Sequence, residues 1–191
     1  MTSFANLTQG KEPEPMSQQP DFSKNPDPAT HGYVFNHVMM RVRDPEVSLD
    51  FYTRILGMTL LATLDIEQFS FTNYYLGYTS PAERAAAPKE QDGQLRQMFS
   101  RQSVLELTHN WGTEDDDDFE GYHNGNSDPK GYGHICINVP DLEAACERFE
   151  ELGVNFTKKP DQGGMKGLAF ITDPDGYAIE VIGPETVSSI S

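Results

Sequence analysis

The sequence predicts an α+β fold: two related strand–helix–strand–strand–strand modules (βαβββ) whose curved mixed sheets surround a cleft. The first observation is an internal repeat, in which HVMMRVRDPEVSLDFYTRILGM, from His37 to Met58, is matched by HICINVPDLEAACERFEELGV, from His134 to Val154. The second is the shared order of signals inside each copy. A His opens a strand-like run, an Asp follows seven positions later (Asp44, Asp141), and an amphipathic stretch ends at Leu-Gly (Leu56-Gly57, Leu152-Gly153). The third is that strand-like segments follow each helix.

Taken in order, residues 1–30 are rich in Pro, Gln, Ser, Asn and Asp and poor in apolar side chains. They are expected to be disordered or draped over the surface. The folded region is expected at 31–184, with a first module at 31–111, a linker at 112–131, a second module at 132–184 and a tail at 185–191. In each module the first strand precedes a helix that Asp44 or Asp141 can cap, because a short carboxylate accepts the orphan amide hydrogens of the first turn. Pro45 suits the first helical position. Val47, Phe51 and Ile55 recur every four residues, and Leu142, Ala145, Cys146, Phe149 and Leu152 share one face, so these are the expected core-facing positions. Gly57 and Gly153 are expected left-handed C-caps. LLATLDI, FSFTNYYLGY and RQSVLELTHN then read as strands in the first module, and VNFTKK, GLAFIT and YAIEVI in the second. Asp173-Pro174-Asp175-Gly176 is a tight-turn signal between the last two. SPAERAAAPKEQDGQLRQ is an insertion in the first module, expected as a surface excursion.

Composition narrows the function. The chain has 191 residues, 14 Lys and Arg against 30 Asp and Glu, and a formal charge of −16. That argues against a nucleic-acid backbone or an anionic membrane as partner. No stretch approaches the ~18 apolar residues of a membrane span, and the N-terminus has neither the basic nor the apolar region of a secretory signal. The two cysteines are too few for a disulfide scaffold and fit a reducing compartment. A cytoplasmic location is expected. The run Asp115 to Asp118 lacks the alternation and glycine of a calcium loop and is expected to be solvated.

The repeat also carries chemistry. His37 and His134 occupy equivalent first-strand positions, and Glu106 and Glu180 equivalent last-strand positions. Alternation along a strand puts His134 with Cys136 and Asn138, opposite Ile135, Ile137 and Val139. Glu106 stands between Leu105 and Leu107, and Glu180 between Ile179 and Val181, where a carboxylate is costly unless paired or bound. A lone strand His is ordinarily a satisfied core residue and a lone strand Glu half of a salt bridge. Four such residues matching across a repeat point instead to one divalent cation, with Zn²⁺, Ni²⁺, Co²⁺ and Fe²⁺ all suited to the set. Arg41 shares the His37 side of its strand and Asn110 the Glu106 side, which suits a substrate carrying carboxylates or amides. His109 faces the other way and is expected to be structural. The cysteines have no partner signature and are given no catalytic role.

HNWGTE, YHNGNSDPKGYGHI, KKPDQGGMKGLAFITDPDGY and SLDFYTRILGMTLL resemble the glyoxalase I family (lactoylglutathione lyases) of the vicinal-oxygen-chelate superfamily, from about Tyr33 to Pro184. The resemblance implies paired βαβββ modules and metal ligands at His37, Glu106, His134 and Glu180. It implies glutathione contacts at Arg41, Asn110, Lys130 and the loop at Gly164-Met165, with His134 also beside the substrate. It implies a homodimer whose sites lie between subunits, His37 and Glu106 coming from one chain and His134 and Glu180 from the other. The implied reaction, in methylglyoxal detoxification, isomerises the methylglyoxal–glutathione hemithioacetal to S-D-lactoylglutathione through an enediolate, with Glu180 as base and Glu106 opposite it as ligand and second base. The chain departs from the family at His37, where the long, zinc-using class carries Gln and the shorter, nickel-preferring class His. Lys130 replaces an Arg, Gly164 a Lys and Ala178 a Trp. Zn²⁺ is expected first, with Ni²⁺ as the alternative. The substrate is anionic, like the protein, so its capture is expected to rest on local positive charge at Arg41 and Lys130.

Other classes on this fold remain to be separated. A drug-sequestering protein is disfavoured by the intact ligand set. An extradiol dioxygenase is disfavoured by the fourth protein ligand. A glyoxalase using another thiol is left some room by Lys130 and Gly164.

Overall fold

The computed structural model describes residues 26–184 and Thr186; most of the expected leader and tail lies outside the described residues. Contacts within the chain divide it into residues 1–34 and 35–191. Of the first unit, residues 26–34 are described: a short turn at Pro28–Thr30, capped by the Asp27 carboxylate, which accepts from the Ala29 N–H.

The second unit holds two four-stranded sheets of identical topology. The first contains β1 (His37–Val42), β2 (Thr59–Ile66), β3 (Phe71–Gly77) and β4 (Val104–Asn110) in the order β1-β4-β3-β2. The second contains β5 (His134–Asn138), β6 (Phe156–Lys158), β7 (Leu168–Thr172) and β8 (Ala178–Ile182) in the order β5-β8-β7-β6. In each, the first strand runs parallel to the last and the others are antiparallel. A first strand that must pair in parallel with its module's last needs a crossover, and the helix after it supplies one.

The helices are α1 (Pro45–Asp50), α2 (Pro81–Ala85), α3 (Gln91–Phe99) and α4 (Leu142–Glu151). Asp44 accepts from the Glu46 and Val47 N–H groups, and Asp141 from Ala144 N–H, as their N-cap positions predict. Gly57 and Gly153 adopt φ of +77° and +72°, the left-handed geometry that ends each helix at little steric cost. α1 widens into a π turn over Phe51–Ile55. Of its expected core-facing positions Phe51 is buried and Ile55 packs against the core, but Val47 is exposed, and Ser48 is turned fully inward in its stead. The cause is a polar anchor, since Ser48 Oγ donates to Asp175 Oδ2 at 3.2 Å. Leu152, expected on the buried face of α4, is also partly exposed, because it lies beyond the last helical turn as the C-cap.

One core joins the two modules. Met40, Val42, Leu105 and Leu107 from the first sheet meet Ile137, Ala169, Ile171, Ile179 and Val181 from the second, with Phe51, Tyr52, Cys146 and Phe149 from the helical segments. The buried Asp173 carboxylate clasps the modules. Its Oδ2 accepts from Tyr52 Oη at 2.7 Å, and its Oδ1 from the Asp175 and Tyr177 N–H groups.

The insertion is a surface excursion over most of its length, 80–92 being exposed except at Pro88, and it is tied down at its end. Ser80 and Glu83 cap α2 reciprocally. α3 turns Leu95 and Met98, three apart on one helical face, onto Ala62, Tyr75 and Val104. That stripe was obscured by the Gln, Asp and Arg residues around it.

Candidate metal centre

The parallel pairing of first and last strand brings the two halves of each pair together. In the first sheet Met39 is the register partner of Glu106, and His37 lies two residues before it on the same face. His37 Nε2 stands 2.9 Å from Glu106 Oε2. In the second sheet Cys136 is the partner of Glu180, and His134 Nε2 stands 3.4 Å from Glu180 Oε2. Two donors each about 2.1 Å from one cation and separated by 90–109° stand roughly 3.0–3.4 Å apart. Both pairs therefore have a separation suited to adjacent ligands of a divalent ion, and imidazole nitrogen with carboxylate oxygen is a donor set that Zn²⁺ and Ni²⁺ accept.

The environments differ. Glu106 is only 7 % exposed; burial pushes its carboxyl above the usual range, opposed by His37 and by the Thr108 hydroxyl. The Tyr75 ring meets the His37 ring edge-on at 6.1 Å, and the Phe170 ring meets that of His134 at 5.2 Å. Beside Glu180, the Cys136 thiol is pushed up to about 11 by burial and by the neighbouring carboxylate, so it stays a protonated, weak nucleophile. His109 is buried on the opposite face of β4 and held by Glu114 Oε2 at 2.6 Å, the structural part expected of it.

The structure does not bring all four residues together within one chain. Met40 and Val42 of β1 and Ile137 of β5 lie in the shared core, so alternation places His37 and His134 on faces turned away from that core, on opposite sides of it. Among the described residues no group of three or more His, Cys, Asp or Glu side chains converges.

The remaining candidates sit around these faces. Arg41 is exposed on the His37 side of β1. Asn110 ends β4 and donates to Tyr122 Oη at 3.0 Å. Lys130 is exposed in the segment before β5, and Gly164 and Met165 are exposed in the loop between β6 and β7. Among the described residues none of these hydrogen-bonds to either His–Glu pair. Residue patterning missed Asn36, which contacts the His37 ring (below), and the aromatic neighbours Tyr75 and Phe170. The Asn36-His37 dipeptide was the one available signal.

The family described as Glyoxalase/Bleomycin resistance protein/Dioxygenase superfamily matches residues 34–181. A lactoylglutathione lyase of Pseudomonas aeruginosa is 58% identical over 86% of this chain and 90% of its own length. The chain belongs to the glyoxalase I (lactoylglutathione lyase) family. A second lactoylglutathione lyase, from Pseudomonas putida, is 53% identical over 86% of this chain and 93% of its length. Among solved structures, the trypanothione-dependent glyoxalase I of Leishmania major superposes with a TM-score of 0.58 at 28% identity, over 82% of this chain and 90% of that one. Glyoxalase I from Zea mays gives 0.56 at 28% identity, over 78% of this chain and 44% of that one. The twin sheets described above are thus a glyoxalase fold.

Proposed function

We propose that this glyoxalase I family member is a lactoylglutathione lyase acting on the methylglyoxal–glutathione hemithioacetal at a metal site shared by two copies of the chain. The observation that carries this is the pair of His–Glu ligand couples at equivalent strand positions, on opposite sides of one core. Neither couple alone supplies enough ligands. Placing the first sheet's face of one copy against the second sheet's face of another completes the set, and two-fold symmetry then makes two sites at once.

His37 and Glu106 of one copy and His134 and Glu180 of the other would hold the ion, Zn²⁺ first and Ni²⁺ as the alternative. When bound, a divalent ion supplies Lewis-acid stabilisation of the negative charge that develops on the substrate oxygens. Glu180 takes the proton from C1 of the hemithioacetal and returns it to C2. The hydroxyl proton on O1 moves to O2, so the thiohemiacetal carbon becomes a thioester carbonyl and the ketone a secondary alcohol, with no atom gained or lost. Glu106 faces Glu180 across the site as second base. Arg41, Asn110, Lys130 and the Gly164-Met165 loop anchor the carboxylates and amides of glutathione. No helix among the described residues is long and apolar enough to cross a membrane. Cys136 and Cys146 are free thiols, which supports a cytoplasmic location.

The test is thioester absorbance with methylglyoxal and glutathione after dialysis against a chelator. The expected result is loss of activity and recovery on adding Zn²⁺ or Ni²⁺, the larger recovery naming the preferred metal. Full activity without metal, or none with any divalent ion, overturns the assignment. Trypanothione in place of glutathione tests whether Lys130 and Gly164 have changed the thiol.

A further inference from the structure

We propose that Asn36 is a positioning residue that holds His37 in the tautomer and orientation a metal ligand needs. The inference rests on the metal site proposed above. The Asn36 amide is anchored on one side only by carbonyls: Nδ2 donates to the backbone oxygens of Met98 at 3.1 Å, Phe99 at 3.2 Å and Arg101 at 2.8 Å. Carbonyl oxygens can only accept, so the amide nitrogen must face them and Oδ1 must face the other way. Oδ1 lies 2.7 Å from His37 Nδ1. An amide oxygen also only accepts, so Nδ1 must carry a proton. The neutral His37 ring is thereby left with its lone pair on Nε2, the atom that faces Glu106.

The anchor is rigid because it is built from a helix that is itself docked on the same sheet. The three carbonyls belong to the end of α3 and the turn after it, and α3 is docked through the fully buried Met98. The Asn36 carbonyl accepts from Val104 N–H at 2.9 Å, extending the β1–β4 pairing past His37. The other half of the repeat lacks the device. The residue before His134 is Gly133, which has no side chain, and His134 Nδ1 has no hydrogen-bond partner among the described residues. The two imidazoles are thus supported unequally, with His37 fixed before any ion arrives.

The experiment measures Zn²⁺ affinity by chelator competition, and thermal stability, for wild type, Asn36→Ala and Asn36→Asp. Loss of an outer hydrogen bond to a ligating His typically weakens metal binding about 10–100-fold. Asn36→Ala is expected to fall in that range. Asn36→Asp keeps an acceptor for Nδ1 and is expected to bind within about threefold of wild type, although it loses the donor to the three carbonyls and melts lower, as the Ala variant does. Affinity then follows the acceptor oxygen, and stability follows the donor nitrogen. Affinity falling in parallel with stability in both variants, or Asn36→Ala binding as wild type does, overturns the proposal. Should the variants not fold, long-range proton–nitrogen NMR on Zn²⁺-loaded wild type decides: a protonated His37 Nδ1 is expected, and coordination through Nδ1 overturns it. Wild type that binds no Zn²⁺ would instead refute the metal site itself.

Discussion

Glu180 and Asp173 are both acidic residues of the second module, in opposite circumstances. Glu180 is half-buried on the outward face of β8, beside His134. Replacing it by Gln keeps the shape and removes the proposed base, so turnover is expected to drop by about 10²–10⁴-fold. The melting temperature should move by no more than a few degrees, since no buried partner is lost. Near-normal turnover of Glu180→Gln in the thioester assay would sink its part as base. Asp173 is buried among structural donors, and burial pushes its carboxyl up to about 6, opposed by the hydrogen bonds it accepts. A carboxyl with a raised folded-state pKa binds its proton more tightly in the native chain than in the unfolded one. Its contribution to stability is present below about pH 4 and is lost as pH rises through about 6, at about 1.4 kcal/mol per pKa unit. Urea unfolding of wild type and Asp173→Asn between pH 4 and 7 is expected to show wild type losing ground to the variant as pH rises. A pH-independent difference would mean that Asp173 titrates normally.

At the scale of elements, α3 separates the first half of the repeat from the second. Its Met98 fills a place between Ala62, Tyr75 and Val104 on the face of the first sheet that carries His37 and Glu106. Met98→Ala is expected to cost about 2–5 kcal/mol in urea unfolding, through lost burial and the cavity left behind, with the denaturant slope unchanged. A cost under about 0.5 kcal/mol would mean that the helix is not docked. The repeat explains why the His–Glu pairs recur, and the insertion explains why their surroundings do not.

Within residues 35–184 the backs of both sheets share a core and the faces that carry the His–Glu pairs look outward, so the proposed metal site requires a second copy. A mixture of His37→Ala and Glu180→Gln chains tests this. Each variant alone should be nearly inactive. In a heterodimer, one site combines both lesions and the other neither, so random 1:1 mixing should restore about a quarter of wild-type activity. No recovery after subunit exchange would place all four ligands in one chain.

Periodicity and the repeat make most of the fold legible in the sequence. The caps at Asp44 and Asp141, the left-handed Gly57 and Gly153, the eight strands and the His37–His134 and Glu106–Glu180 equivalences are all local or symmetric signals, written in residue type and spacing. The inward turn of Ser48, the docking of α3 and the clasp at Asp173 were not legible, because each depends on a partner distant in the chain whose arrival no local pattern records. The amino-acid order named the four ligand candidates, because buried strand carboxylates and matching histidines are costly enough to be conspicuous. Which of them meet was settled by packing, because sheet pairing and a shared core decide which faces are turned toward one another and which away; the Asn36 contact on His37 likewise comes from α3, which no local pattern places there.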